Sequence, residues 1–167
     1  MTENNNLPAT TASALPTTGE GASAREFVTM VIDNQIFGIP VLQVQDVLGP
    51  QKITRVPLAP REVAGSLNLR GRIVTAIDVR TRLGLPARED RERSMSVVVD
   101  HSGEFYSLIV DQVGEVMGLP VSDYEKTPAT LDERWREISD GVYRLKESLL
   151  IVLDVKRLLR LEELTAA

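Results

Sequence analysis

QIFGIPVLQVQDVLG, from Gln35 to Gly49, lies without a gap on EFYSLIVDQVGEVMG, from Glu104 to Gly118, an offset of 69 positions. Both copies run from an aromatic-bearing strand pattern into Gln-Val-x-acid-Val-(Leu/Met)-Gly. Gln43, Val44, Asp46, Val47, Leu48 and Gly49 stand against Gln112, Val113, Glu115, Val116, Met117 and Gly118. Self-similarity of this kind marks a duplicated structural unit. A second match follows in the same order. LRGRIVTAIDVRTRL, from Leu69, lies on LKESLLIVLDVKRLL, from Leu145, aligning Ile77, Asp78, Val79 and Arg80 with Leu153, Asp154, Val155 and Lys156 at an offset of 76. The seven extra residues of the second copy fall between the two blocks, where PATLDERWREISDG forms a polar, helix-prone insertion around Trp135. A unit of about 70 residues builds only a marginal core alone, so the two copies should bury surface against each other and leave a groove between them.

Around these blocks the chain from Arg25 onward is a series of short β-branched runs broken by turn residues: FVTMVID, KITRVP, GSLNLRG, RIVTAID, SMSVVVD and LLIVLD among them. Many short strands with frequent turns predict a mainly β fold. Helices are few. Asp78 and Asp154 are placed as N-caps, and after Asp154 the residues Val155, Leu158, Leu159 and Leu161 give one apolar face. Met1 to Ala24 is rich in Thr, Ala, Asn, Pro and Gly, and reads as a disordered tail. The organisation expected is a tail at 1–24, a first unit at about 27–92, a second at about 93–155 and a C-terminal helix at about 155–163, with an exchange of strands between the units left open.

Composition narrows the chemistry. The 167 residues carry 19 Lys and Arg against 24 Asp and Glu, a formal net charge of -5. Nonspecific nucleic-acid affinity comes from many cationic contacts that release counterions, so an acidic chain argues against that partner. No apolar run approaches the roughly 20 residues that span a bilayer, and the first 24 residues show no secretory pattern. A cytoplasmic protein is expected. The chain has no Cys and a single histidine, His101, which removes thiolate and multi-histidine metal sites and thiol nucleophiles. No cofactor and no metal are expected.

His101 belongs to an Asp-His-Ser-Gly turn between two strands and is read as a solvent-exposed turn residue. Neither phosphate-binding loops nor a nucleophile elbow occurs, and the pairs Asp132-Glu133 and Glu162-Glu163 read as solvated faces. The segment Gly65-Ser66-Leu67-Asn68-Leu69-Arg70-Gly71 says more. Leu67 and Leu69 alternate with Ser66, Asn68 and Arg70, which puts the polar set on one face of a half-buried strand before Gly71 turns the chain. A hairpin with an exposed arginine and an interaction edge presenting a guanidinium are both compatible with this pattern. The second copy has Lys146 and Glu147 where the first has Arg70 and Gly71, so the two units diverge at this edge.

The QVQDV block, the run VAGSLNLRGRIVTAIDVRTRLG and the later DQVGEV and LLIVLDVKRLL blocks together resemble the chemotaxis coupling protein CheW family, from Phe27 to Glu162. The NLRG-x-IV-x-x-ID-x-R pattern also resembles the regulatory domain of the histidine kinase CheA and the coupling domain of CheV-type proteins. The resemblance implies two similar five-stranded Src-homology-3-like β-barrels and no enzymatic activity. It implies a scaffold that joins the cytoplasmic tip of chemoreceptors to CheA within arrays recruited to the membrane, without inserting into it. A receptor helix would dock in the groove between barrels, and the matching positions are Val44, Asp46, Gly65, Asn68 and Arg70. Asp46 stands where the family commonly has Glu. Val28 and Val41 match apolar positions of the kinase-facing surface. Two other readings remain open from sequence: a small β-barrel enzyme or nucleic-acid binder, and an adaptor of the same kind in a pathway other than motility.

Overall fold

Hairpins come first, because they are set locally. The computed structural model describes residues 23–87 and 93–160; the tail reading for residues 1–22 and the helix reading beyond residue 160 lie outside them. β1 (Ala24–Ile32) returns through Asp33-Asn34 into β2 (Gln35–Pro40), and β6 (Met95–His101) returns through Ser102-Gly103 into β7 (Glu104–Val110). β4 (Val63–Leu69) returns through Arg70-Gly71 into β5 (Arg72–Asp78). All three two-residue loops have positive φ at both positions: 53° and 67°, 54° and 83°, 53° and 86°. That is the backbone hand which matches the right-handed twist of the flanking strands. His101 is thus the last residue of β6, half-buried beside the Tyr106 ring at 6.3 Å, and the turn itself is Ser102-Gly103. This corrects its reading as an exposed turn residue, since the pairing of His101 with Glu104 closes the ladder before the loop.

The remaining strands are β3 (Val44–Leu48), β8 (Gln112–Pro120), β9 (Tyr124–Glu125), β10 (Ser139–Arg144) and β11 (Leu149–Leu153). They assemble into a six-stranded sheet, β8-β1-β2-β11-β10-β9, and a five-stranded sheet, β3-β6-β7-β5-β4. Each copy of the repeat sends its hairpin into the sheet of the other. The first copy's β1-β2 hairpin sits between the second copy's β8 and β11, and the second copy's β6-β7 hairpin sits between β3 and β5. The joints are the two parallel pairings, β2 with β11 and β7 with β5. The result is mainly β, with two rolled, Src-homology-3-like sheets and a few short helices. Beyond β4, the segment that precedes it adds one bridge to the five-stranded sheet, in which Thr54 and Ser66 exchange backbone hydrogen bonds of 2.8 Å.

Alternation divides the apolar residues among three cores. Phe27, Tyr143, Leu150 and Val152 fill the interior of the six-stranded barrel, and Leu67, Val74 and Ala76 fill the other. The largest cluster lies between the sheets, where Met30, Ile32, Phe37 and Ile39 meet Ile77, Val97, Val99 and Leu108. Exchange of hairpins therefore leaves neither copy with a core of its own. The insertion folds as α2 (Glu133–Ile138), capped by Asp132, and its Trp135 meets Phe37 edge-on at 5.6 Å.

Asp78 and Asp154 cap α1 (Val79–Arg82) and α3 (Val155–Leu158), accepting from Thr81 N and Arg157 N. α3 ends at Leu158, with Leu159 as its C-cap. The Arg82 guanidinium donates to the carbonyls of Leu158 at 2.9 Å and Arg157 at 3.0 Å, satisfying the helix end there.

Candidate interaction edge

β3 and β4 are the outer strands of the five-stranded sheet, β4 carrying the Thr54 bridge at Ser66, and the rolling of that sheet brings the β4-β5 turn back to β3. A bulge in β3 between Val44 and Asp46 turns the Asp46 side chain toward this seam. One carboxylate oxygen, Oδ1, accepts from the Val47 N–H at 2.9 Å, and Oδ2 lies 3.0 Å from Arg70 Nη2. That second contact is an ion pair without hydrogen-bond alignment, and the buried Oδ2 has no hydrogen-bond donor among the described residues. Arg70 itself remains 78% exposed. A buried carboxylate oxygen with an unfilled acceptor, beside a guanidinium with free donors, is prepared for a partner's polar groups.

Asn68 explains how Arg70 is presented. Its Oδ1 accepts from the Gly71 N–H at 2.9 Å and so holds the turn in which Arg70 takes its positive φ. Asp100 does the same for Gly103 in the β6-β7 turn, at 3.1 Å. Next to Arg70, the Arg72 guanidinium stacks over the Phe105 ring at 3.9 Å. Ile73, the cross-strand partner of Asn68, is 72% exposed and adds an apolar contact to the edge. The sequence reading passed over Ile73. The signal was present, because Val74 and Ala76 facing the barrel interior forces Ile73 onto the opposite face.

Asp46, Asn68, Arg70 and Ile73 thus share one edge, while the other candidates sit differently. Gly65 is buried at a bulge in β4, with φ at +151°. A Cβ there would stand 2.2 Å from the Thr54 carbonyl oxygen, so its place in the fold is to let the bridged Thr54 segment approach. Its counterpart in the second copy, Gly141, makes the same room for the Tyr124 ring, with 2.2 Å to the nearest ring atom. Val44 is half-buried against the inter-sheet core. Val28 is 5% exposed, between Ile39 and the 54% exposed Val116. Val41 is half-buried in a 3-10 turn whose next residue, Leu42, is 92% exposed. None of Val44, Asp46, Gly65, Asn68 and Arg70 lines the groove of about 690 Å³ at the far end of the five-stranded barrel, and the space between the sheets, where a groove was expected, is filled by the largest core cluster.

The pseudo-equivalent edge of the six-stranded sheet differs. Glu115 and Lys146 occupy the places of Asp46 and Arg70, both exposed, and no ion pair joins them among the described residues. Elsewhere, burial followed by its hydrogen bond to Asp140 pushes the Tyr124 phenol above its ordinary pKa, and burial does the same for Tyr143. No cluster of three or more metal-ligating side chains occurs among the described residues.

Residues 26–163 match the family model described as a CheW-like domain. The chain is similar to the chemotaxis protein CheW of Klebsiella aerogenes, 29% identical over 140 residues that cover 84% of each chain. It is also similar to CheW of Helicobacter pylori, 27% identical over 135 residues and 81% of each chain, and to Protein PilI of Pseudomonas aeruginosa, 26% identical over 140 residues. Among solved structures it resembles the scaffolding protein TtCheW from Thermoanaerobacter tengcongensis, with a TM-score of 0.71 at 26% identity, covering 78% of this chain and 89% of that one. With duplicated β units, the NLRG edge and a family match over most of its length, the chain belongs to the CheW-like domain family.

Proposed function

We propose that this protein is a non-catalytic adaptor that joins the cytoplasmic tip of chemoreceptors to the regulatory domain of the histidine kinase CheA. The edge built from Val44, Asp46, Gly65, Asn68 and Arg70, extended by Ile73, is the receptor contact in this reading. Val28 and Val41 mark the neighbourhood of the kinase contact, which Val116 and Leu42 would make with their exposed side chains. The protein is then a cytoplasmic component recruited to receptor arrays, and residues 25–163 act as a single domain because neither copy holds its own hairpin. The observation that carries the reading is the Asp46-Arg70 pair, an exposed guanidinium over a buried carboxylate oxygen that has no hydrogen-bond donor among the described residues. An Arg70→Glu variant should fold normally and lose capture of a receptor cytoplasmic fragment in a pull-down. Unchanged capture by the folded variant would remove this edge as the receptor site.

One matched relative is named Protein PilI rather than CheW, and a second reading keeps the same adaptor chemistry in a signalling pathway other than flagellar motility. Crosslinking in cells, followed by identification of the receptor and kinase recovered, separates the two.

A further inference from the structure

At the end of the five-stranded barrel opposite the Arg70 turn, the chain forms a tight loop between the Thr54 bridge and β4. Seven residues of β4 separate the two ends, roughly 20 Å at strand spacing. The loop reads Arg55-Val56-Pro57-Leu58-Ala59-Pro60-Arg61. Ala59 N–H donates to the Val56 carbonyl at 3.4 Å, with proline second in the turn and Leu58 third, at φ +64°. This is the type II arrangement, whose third position favours Gly or Asn because a side chain there is strained. Leu58 is nevertheless a leucine, with its side chain 104% exposed, and Val56 beside it is 41% exposed. Strain and exposure both act against stability at this residue. On the loop the cations outnumber the carboxylates in an acidic protein: Lys52, Arg55 and Arg61 are exposed with no carboxylate between them in sequence, Glu62 follows directly, and both arginines line a groove that Asp78, Arg80 and Asp111 also line. The turn is held at its base, with Val63 N–H donating to the Pro60 carbonyl at 2.9 Å, and Pro57 and Pro60 restrict its backbone.

We infer that the Val56–Leu58 tip is a second docking element, an apolar knob that enters a socket rimmed by carboxylates on a protein partner. Arg55 and Arg61 pair with that rim. A prolyl-stiffened tip loses little entropy on docking, and a fully exposed leucine supplies the buried anchor. A lipid surface fits less well, since one leucine and one half-exposed valine offer less apolar area than a single acyl chain, which by itself binds a bilayer only marginally.

The inference rests on the adaptor reading for its choice of probes, a receptor cytoplasmic fragment and the regulatory domain of the histidine kinase. Leu58→Asn relieves the strained position, so the melting temperature should rise by a degree or more while affinity for one of the two probes falls at least tenfold. Leu58→Ala should weaken the same probe with no gain in stability, and Arg55→Glu combined with Arg61→Glu should weaken it at least tenfold at low salt. Wild-type affinity for both probes retained by Leu58→Asn would overturn the inference alone. Loss of binding together with a lowered melting temperature would assign Leu58 a structural role and overturn it as well. Leu58-dependent sedimentation with phosphatidylserine vesicles, both protein probes being unaffected, would replace the protein partner by a membrane. A wild-type chain that bound neither probe would overturn the adaptor reading and this inference with it.

Discussion

Arg80 and Asp111 meet in a two-bonded fork, Nε to Oδ1 at 2.8 Å and Nη2 to Oδ2 at 2.7 Å, that ties α1 behind one sheet to the crossover between the sheets. The same Asp111 carboxylate accepts the Asp33 N–H from the β1-β2 turn at 2.9 Å, and the Asp33 carboxylate lies 3.7 Å from Arg80. Hydrogen bonding to Asp111 outweighs burial and raises the Arg80 pKa above its ordinary value. Three segments from both copies of the repeat thus converge on one guanidinium. At the equivalent place in the other half stand Lys156, Leu42 and Ser102, with no carboxylate to match Asp111.

Because the fork is 16% and 13% exposed, removing one member leaves a largely buried charge unpaired. Asp111→Ala should lower unfolding free energy by about 2–4 kcal/mol. Urea titration followed by the fluorescence of the single Trp135, which sits on the inter-sheet core, measures it. A loss below about 1 kcal/mol would place the pair with ordinary surface ion pairs.

Gly65 and Gly141 should not tolerate a methyl group. Gly65→Ala drives a Cβ against the Thr54 carbonyl, which is backbone and fixed by its bridge, and should cost about 2–4 kcal/mol. Gly103 is the control: its φ is also positive, at +83°, but nothing lies within 4 Å of an added Cβ, so Gly103→Ala should cost only about 1 kcal/mol. Equal losses in the two variants would show that φ, rather than the close approach, governs Gly65.

The Tyr143 hydroxyl is buried without a hydrogen-bond partner among the described residues, while its ring meets Phe27 at 5.5 Å and Tyr124 at 5.4 Å. Tyr143→Phe keeps the ring and removes the unpaired group, and should stabilise the protein by about 1 kcal/mol. The phenol also sets an alkaline limit. Folding raises the Tyr143 and Tyr124 pKa values, so above the ordinary tyrosine value near 10 the unfolded chain loses protons that the folded chain keeps. Stability contributed by these groups is complete below pH 10 and declines above it. A melting temperature that stayed flat from pH 9 to pH 11 would contradict this.

Arg70 offers a separation of binding from stability. Its side chain is 78% exposed, so Arg70→Ala should change unfolding free energy by no more than about 0.5 kcal/mol. A larger loss would mean that the Asp46 seam closes the barrel, and capture data on Arg70 variants would then need a folded-fraction correction.

Much of this architecture is written locally. The duplication at offsets of 69 and 76, the aspartate caps and the strand character of the segments follow from side-chain periodicity and turn chemistry, which act over a few residues. The Arg70 edge was also legible, since Leu67 and Leu69 point inward and force Asn68 and Arg70 outward. Pairing between the copies was not. β2 could meet the final strand of its own copy or of the other, and the two choices present similar edges. Packing decides it: Gly38 in β2 leaves room for Leu150 of the second copy, 3.1 Å from where a Cβ would stand, and Phe37 lies beside Ile151. The roles of Gly65 and Asp46 depend on that choice as well. Each is defined by a neighbour distant in sequence, Thr54 or Arg70, and periodicity carries no information about which distant segment a rolled sheet will bring within reach.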